Sequence, residues 1–197
     1  MGKVKIGYAL GGGGARGLSH VGVLKVLEEH GLFPDVIAGT SIGALVGALY
    51  ASGLKAAEIE KALHLDLRRL ASLADVTLSL SGLVRGKRVA DLLRSVLGDL
   101  TFSDLKTPFA CMATDIISGE EITLQSGPVV RAVRASISVP GIFTPVKVGS
   151  RYLVDGGLVN MVPVGICRDM GAEYVVGINV IPDPSGMLHR LEEEADD

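Results

Sequence analysis

The sequence predicts an α/β fold: three layers, α/β/α, with a mostly parallel central sheet held between helices. Three observations carry that prediction. Strand-like apolar runs alternate with helical patterns along most of the 197 residues, the order that parallel strands joined by crossover helices produce. Two glycine-framed turns, Gly12-Gly13-Gly14-Ala15-Arg16-Gly17 and Gly39-Thr40-Ser41-Ile42-Gly43, each fall between a strand-like run and a helical one. Apolar residues make up 48% of the chain and charged residues 21%, the balance of a protein that buries a core. At this length one domain is expected, assigned to residues 1–182, with residues 183–197 an acidic, flexible tail.

Lys3 to Leu10 is the first expected strand, with Val4, Ile6 and Tyr8 on one face. The glycine loop follows. A helix then runs from about Arg16 to His30, where Leu18, Val21, Leu24 and Leu27 form an apolar stripe and Gly31 supplies the stop. Asp35 to Gly39 is a second strand, and Ser41 opens a second helix, rich in Ala and Leu, that ends near Gly53. Residues 55 to 105 read as mostly helical. Leu63, Leu67 and Leu70 give one amphipathic patch, Val89, Leu92, Leu93 and Val96 another, with Ser79 to Gly86 a loop between them. Such faces usually cover a core, although an exposed one could approach lipid.

Phe109 to Thr114 and Glu121 to Leu124 are the third and fourth strands. Arg131 to Ser136 is a short helix ended by Val139-Pro140-Gly141. Arg151 to Val154 is a strand that runs straight into Asp155-Gly156-Gly157. Met161 to Met170 is expected to be helical after Pro163, because proline suits a first turn, and Glu173 to Val180 is a last buried strand.

Charge and composition exclude several function classes. The net charge is −3, and the densest basic cluster is Arg85, Lys87 and Arg88, so there is no electrostatic footprint for nucleic acid. Cys111 and Cys167 each sit in an apolar stretch with no Cys or His at ligand spacing, which reads as buried free thiols in a reducing compartment and gives no metal site. Met1 to Lys5 passes directly into a strand-like run, which does not have the form of a secretion signal, and a cytoplasmic location is expected. Val36 to Leu54 is 19 residues without a charge. Its length approaches that of a membrane span, but Gly39-Thr40-Ser41 interrupts it, so a buried strand, turn and helix is expected instead.

The two glycine turns carry the chemistry. Gly39 and Gly43 frame Ser41 in the G-x-S-x-G spelling of a tight strand-to-helix turn, where a side chain at either flank would collide with neighbouring backbone. Such a turn presents the hydroxyl at a helix N-terminus, which favours developing negative charge. A serine N-cap in an ordinary glycine-lined turn is the alternative. The Gly12–Gly14 stretch offers backbone N–H groups to an oxyanion, with Arg16 adding positive charge nearby.

Gly12-x-Gly14-x-x-Gly17 also spells the dinucleotide fingerprint, which calls for an acid at the end of the following strand. Asp35 stands at that strand's start, so this reading is disfavoured, and no Gly-Lys-Ser/Thr follows to make a phosphate loop. A triad would need a histidine. His189 lies in the polar tail, His30 at a helix C-terminus and His64 in the leucine-rich region, while His20 follows the glycine loop and is placed to buttress it. None occupies a late post-strand turn. Asp155 does, although Asp-Gly-Gly also reads as a simple hairpin turn.

Taken together and in this order, the three elements resemble the patatin-like phospholipase family, whose pattern is a G-G-G-x-[RK]-G loop, a G-x-S-x-G elbow and a D-G-[GA] aspartate. Gly12 to Glu28, Arg131 to Val146 and Val154 to Val164 are similar to bacterial members, and the likeness covers most of residues 5 to 180. Members often continue into further C-terminal helices, whereas this sequence stops soon after Asn179.

The resemblance implies a fold related to the nucleophile-elbow architecture of α/β-hydrolases. It implies Ser41 as nucleophile, Asp155 as its direct base, Gly12, Gly13 and Gly14 as oxyanion donors, and no metal or other cofactor. The expected function is a serine lipid acyl hydrolase, a phospholipase, lysophospholipase or carboxylesterase. The expected substrate is a lipid ester, reached through peripheral membrane contact, and homo-oligomerisation stays open. The alternative is an idle member of the family that binds lipid or a partner through the same pocket. Partial burial of Asp155 beside Ser41 is expected to raise its pKa and suit it to work near neutral pH.

Overall fold

A computed structural model describes residues 3–63 and 87–182 of the chain. The first half begins with β1 (Ile6–Leu10), a single 3-10 turn (Gly14–Leu18) and α1 (Ser19–Glu29). It continues through β2 (Val36–Thr40), α2 (Ile42–Ala51) and a helical stretch, α3, at 56–63. After α4 (Lys87–Leu97) come β3 (Phe109–Asp115), β4 (Glu121–Leu124) and α5 (Val129–Ser136). The last elements are β5 (Val146–Val148), β6 (Arg151–Asp155), α6 (Val164–Asp169) and β7 (Tyr174–Ile178). His64, Leu67, Leu70, the loop expected at Ser79 to Gly86, His189 and the expected tail lie outside the described residues.

Most departures from the sequence reading fall at element ends. β1 starts at Ile6, whose N–H donates to Asp35 Oδ2 at 2.9 Å. Asp35 therefore anchors a strand start and is held below the usual carboxylate range, chiefly by its hydrogen bond from Lys3. The first α-helix begins at Ser19 rather than Arg16, because Gly13 and Gly14, both at positive φ, lead into the 3-10 turn. β5 was not expected. It is three residues long and turns back onto β6 through Gly149 at φ 60°. The uncharged run from Val36 to Leu54 is β2, a bend at Ser41 and α2, and no described helix is long and apolar enough to cross a membrane.

Four strands, ordered β7-β1-β2-β3, are mutually parallel, as the alternation of strands and helices implies. The rest of the sheet is antiparallel: β4 and β6 pair with β3, and β5 pairs with β6. Cys111 and Met112 of β3 pair with β2 as well as with β4, so these two strands lie on opposite edges of β3. Ala113 and Thr114 pair with β6 as well as with β4, which puts β6 on the same edge as β2. β2 runs along that edge until Thr40 pairs with Met112, and β6 comes the other way until Asp155 pairs with Ala113. The two strands thus meet head-on, and the next residue after one strand faces the last residue of the other.

Alternation with period two divides the sheet's side chains between two cores. Tyr8, Leu10, Ile37, Phe109 and Cys111 pack beneath residues of α1 to α5, including Leu24, Val46, Leu49, Ile59, Leu93 and Val133. Ala9, Val36, Ala38, Ala110 and Met112 face Ile166 and Cys167 of α6. Helices therefore cover both faces of the sheet, as the three-layer expectation requires. Both cysteines are buried free thiols, and burial pushes them up, Cys111 to about 12 and Cys167 to about 11.

Candidate active site

The bend after β2 is set by close approaches that exclude side chains. A Cβ at Gly43 would lie 2.1 Å from the Leu10 carbonyl oxygen, and one at Gly39 would lie 2.5 Å from the Gly43 carbonyl oxygen. Both contacts are with backbone, which cannot rotate away. Ser41 has φ 54° and ψ −123°, and among the described residues it is the non-glycine at positive φ. Such a conformation costs about 1–3 kcal/mol and persists only where surroundings fix it. The payoff is positional: the hydroxyl sits immediately before the first turn of α2, the electropositive end of that helix.

Ser41 and Asp155 are 114 residues apart in sequence, yet the Ser41 hydroxyl donates to Asp155 Oδ2 at 2.6 Å. The second carboxylate oxygen, Oδ1, accepts the Gly157 N–H at 2.8 Å and so fixes the plane of the group. Asp155 is buried. Loss of water raises its pKa, and the hydrogen bonds from Ser41 and Gly157 oppose that rise without cancelling it. The direction is the one expected from sequence. Asp155 ends β6 and caps a 3-10 turn, Gly156–Leu158, so Asp-Gly-Gly is not a hairpin here.

The glycine loop packs beside Ser41: a Cβ at Gly12 would come 3.4 Å from Ser41 Cβ. Gly12 departs from the expectation that it carries a free amide. Its N–H donates to the Met161 carbonyl at 2.9 Å, because the loop is stitched there to the segment that follows β6. The amides of Gly13 and Gly14 have no hydrogen-bond partner among the described residues. Arg16 is exposed on the 3-10 turn just beyond.

His20 is fully buried, with Nε2 2.7 Å from the Gly11 carbonyl oxygen, so it buttresses the loop as its sequence position suggested. Nδ1 has no partner among the described residues, and burial holds the imidazole below its ordinary pKa. This leaves the ring neutral, with Nε2–H as donor to Gly11. His30 closes the end of α1 through Nδ1 and the Val26 carbonyl, 2.8 Å apart.

Sequence reasoning missed the residues behind the bend. The Ser41 N–H donates to Ser136 Oγ at 2.8 Å, and the Ser136 hydroxyl donates to the Met112 carbonyl at 2.5 Å. Two residues on, the Ser138 carbonyl accepts the Asp155 N–H at 2.9 Å. Thr40 Oγ1 donates to the Asn160 carbonyl at 3.0 Å. Ser136 and Ser138 fall in the Ala-Ser-Ile-Ser-Val-Pro-Gly stretch that carries part of the family resemblance, but a serine near a helix end has no spelling that names its partner.

The fold is a mixed, mostly parallel sheet between helices, and it brings a serine on a glycine-framed bend to a buried acid. The chain belongs to the patatin-like phospholipase family, whose model matches residues 8–168. It is 34% identical over 188 residues to Rv1063c of Mycobacterium tuberculosis, described as an uncharacterized NTE family protein; the match covers 95% of this chain and 52% of that one. It is also 34% identical over 179 residues to Lysophospholipase NTE1 of Debaryomyces hansenii, covering 89% of this chain and 12% of that protein. The chain thus spans about half the length, or less, of these relatives. Among solved structures, VipD of Legionella pneumophila superposes with a TM-score of 0.64 at 15% identity, over 80% of this chain and 46% of VipD. ExoU of Pseudomonas aeruginosa, in complex with SpcU, gives a TM-score of 0.51 at 21% identity over 71% of this chain and 37% of ExoU. These two likenesses concern the fold.

Proposed function

We propose that this chain is a serine lipid acyl hydrolase, with Ser41 as nucleophile, Asp155 as its base and the Gly13 and Gly14 amides as the oxyanion site. The observation that carries the reading is the 2.6 Å hydrogen bond from the Ser41 hydroxyl to Asp155 Oδ2. Family membership supports the substrate class, a phospholipid or lysophospholipid ester.

In the proposed course, Ser41 Oγ attacks the ester carbonyl carbon as its proton passes to Asp155. The carbonyl oxygen takes the negative charge and is met by the loop amides; such a donor is worth about 3–4 kcal/mol of transition-state stabilisation. The carbon–oxygen bond to the leaving alcohol breaks, and protonated Asp155 gives the alcohol its proton. Water then attacks the acyl-serine, Asp155 takes a proton from it, and Ser41 leaves with that proton as the fatty acid departs. An unperturbed aspartate, near pKa 3.9, is a weak base toward a serine hydroxyl. Burial raises Asp155 toward the task, and the Gly157 N–H keeps its other oxygen occupied and its plane fixed.

The reading extends to a cytoplasmic protein that meets its lipid at a membrane surface. Supporting it are exposed apolar residues on the loops that follow β3, α5 and β6: Ile117, Ile142, Leu158 and Val159. The primary test is covalent labelling by a fluorophosphonate together with hydrolysis of a nitrophenyl butyrate. Wild-type protein is expected to do both, and Ser41→Ala to do neither while melting as wild type does. Labelling that survives in Ser41→Ala rejects the assignment of the nucleophile. A folded wild type that takes no label points instead to the idle binding member of the family.

A further inference from the structure

We infer that Ser136 is a positioning residue for the nucleophile, its buried hydroxyl holding the Ser41 backbone in the bend. The inference rests on the hydrolase reading above. Its physical origin is the head-on meeting of β2 and β6 along one edge of β3. β2 pairs with β3 as far as Met112, and β6 takes up the edge at Ala113, so the chain must leave the sheet at that junction from both directions. Ser136, the last residue of α5, reaches into it from the helical layer. Its hydroxyl donates to the Met112 carbonyl at 2.5 Å and accepts the Ser41 N–H at 2.8 Å, so it stands where a strand amide and carbonyl would otherwise continue the ladder. It is fully buried, away from bulk water.

The bond is placed where the backbone most needs one. Ser41 pays the conformational cost of φ 54° without the freedom of glycine, and its side chain is already engaged with Asp155. Its carbonyl accepts the Ala44 and Leu45 amides of α2, so the N–H is the handle by which residues outside that helix fix the backbone. The same segment grips the other half of the pair, since the Ser138 carbonyl accepts the Asp155 N–H. Ser138 is itself held by Arg134, whose guanidinium bonds Ser138 Oγ and lies over the Phe143 ring, 5.0 Å from its centre. The end of α5 therefore sets the separation of hydroxyl and carboxylate through their backbones.

The test uses Ser136→Ala, with Ser136→Cys as a near-isosteric variant that keeps a weak donor and acceptor. In Ser136→Ala the rates of fluorophosphonate labelling and of nitrophenyl butyrate turnover are both expected to fall about 10- to 100-fold, the scale of a misplaced reacting group, with KM changed less than about twofold. Ser136→Cys is expected to fall between Ala and wild type. Amide exchange adds a readout independent of activity: the amide of residue 41 should lose protection in Ser136→Ala while the amides of α2 keep theirs.

A folded Ser136→Ala that labels at the wild-type rate overturns the inference, as does a loss carried by KM alone. Should the alanine variant fail to fold, Ser136→Cys decides alone: slowed labelling at unchanged KM upholds the role, and wild-type labelling overturns it. A wild type that takes no label refutes the hydrolase reading instead, and that outcome is distinct because it appears before any Ser136 variant is measured.

Discussion

Replacing Asp155 by Asn should move activity and stability in opposite directions. The amide keeps the shape and keeps an oxygen for the Gly157 N–H, which Oδ1 accepts at 2.8 Å. The other end becomes an NH2 group facing Ser41 Oγ, which cannot take the hydroxyl proton that Oδ2 now accepts at 2.6 Å. Loss of a general base costs about 10²–10⁴ in rate, or about 3–5 kcal/mol of transition-state stabilisation.

Stability follows from burial. The folded pKa of Asp155 is raised above the ordinary carboxylate value, with desolvation as the leading cause, so the folded protein binds this proton more tightly than the unfolded chain does. Stability therefore falls as pH rises through the window from the unfolded to the folded value, and the penalty is complete above the folded value. Each pKa unit of elevation corresponds to about 1.4 kcal/mol. Asp155→Asn lifts the penalty, so the variant should gain stability over wild type at pH 7 and lose that advantage below the unfolded pKa, near 4. Urea titrations at pH 7 and pH 3.5, followed by far-ultraviolet circular dichroism and paired with fluorophosphonate labelling at pH 7, measure both effects. A variant that is equally displaced from wild type at the two pH values, or that labels at the wild-type rate, would refute the reasoning.

Three further outcomes follow from the glycines and from His20. Gly43→Ala forces a Cβ to 2.1 Å from the Leu10 carbonyl oxygen, and because that neighbour is backbone the cost should reach or exceed the 1–3 kcal/mol, roughly, of ordinary overpacking. Gly22→Ala, inside α1 with nothing within 4 Å of the new Cβ, should instead stabilise by about 0.5–1 kcal/mol; equal urea midpoints for the two variants would contradict both claims. His20→Leu leaves the Gly11 carbonyl without its donor and should cost about 1–3 kcal/mol at neutral pH, with slower labelling as the loop beside Ser41 loosens. Because the folded pKa of His20 is lowered, the unfolded chain takes up the proton first, and wild type loses stability as pH falls below the unfolded value, about 6.5. His20→Leu should show a flatter profile through that window.

The local parts of this protein are readable from the order of its residues. Gly39 and Gly43 mark a tight bend by their spelling, and the fold supplies the reason, since carbonyl oxygens occupy the space a side chain would need. The strand segments before and after the glycine loop, the helix after Ser41 and the direction of the Asp155 pKa shift were legible for similar reasons: periodicity, turn chemistry and burial are written within a few residues.

What depended on chain direction was decided only in three dimensions. Nothing in Arg151 to Asp155 tells whether that strand runs with β3 or against it, yet only the antiparallel course brings Asp155 to the end of β2. The Gly12 amide looked available because glycine has no side chain, but hydrogen bonding is a property of the neighbour as well, and Met161, far along the chain, claims it. Ser136 had no signature of its own for the same reason. A hydroxyl becomes a handle for Ser41 only where two strands stop short of each other, and that gap exists in the folded sheet and nowhere in the string of residues.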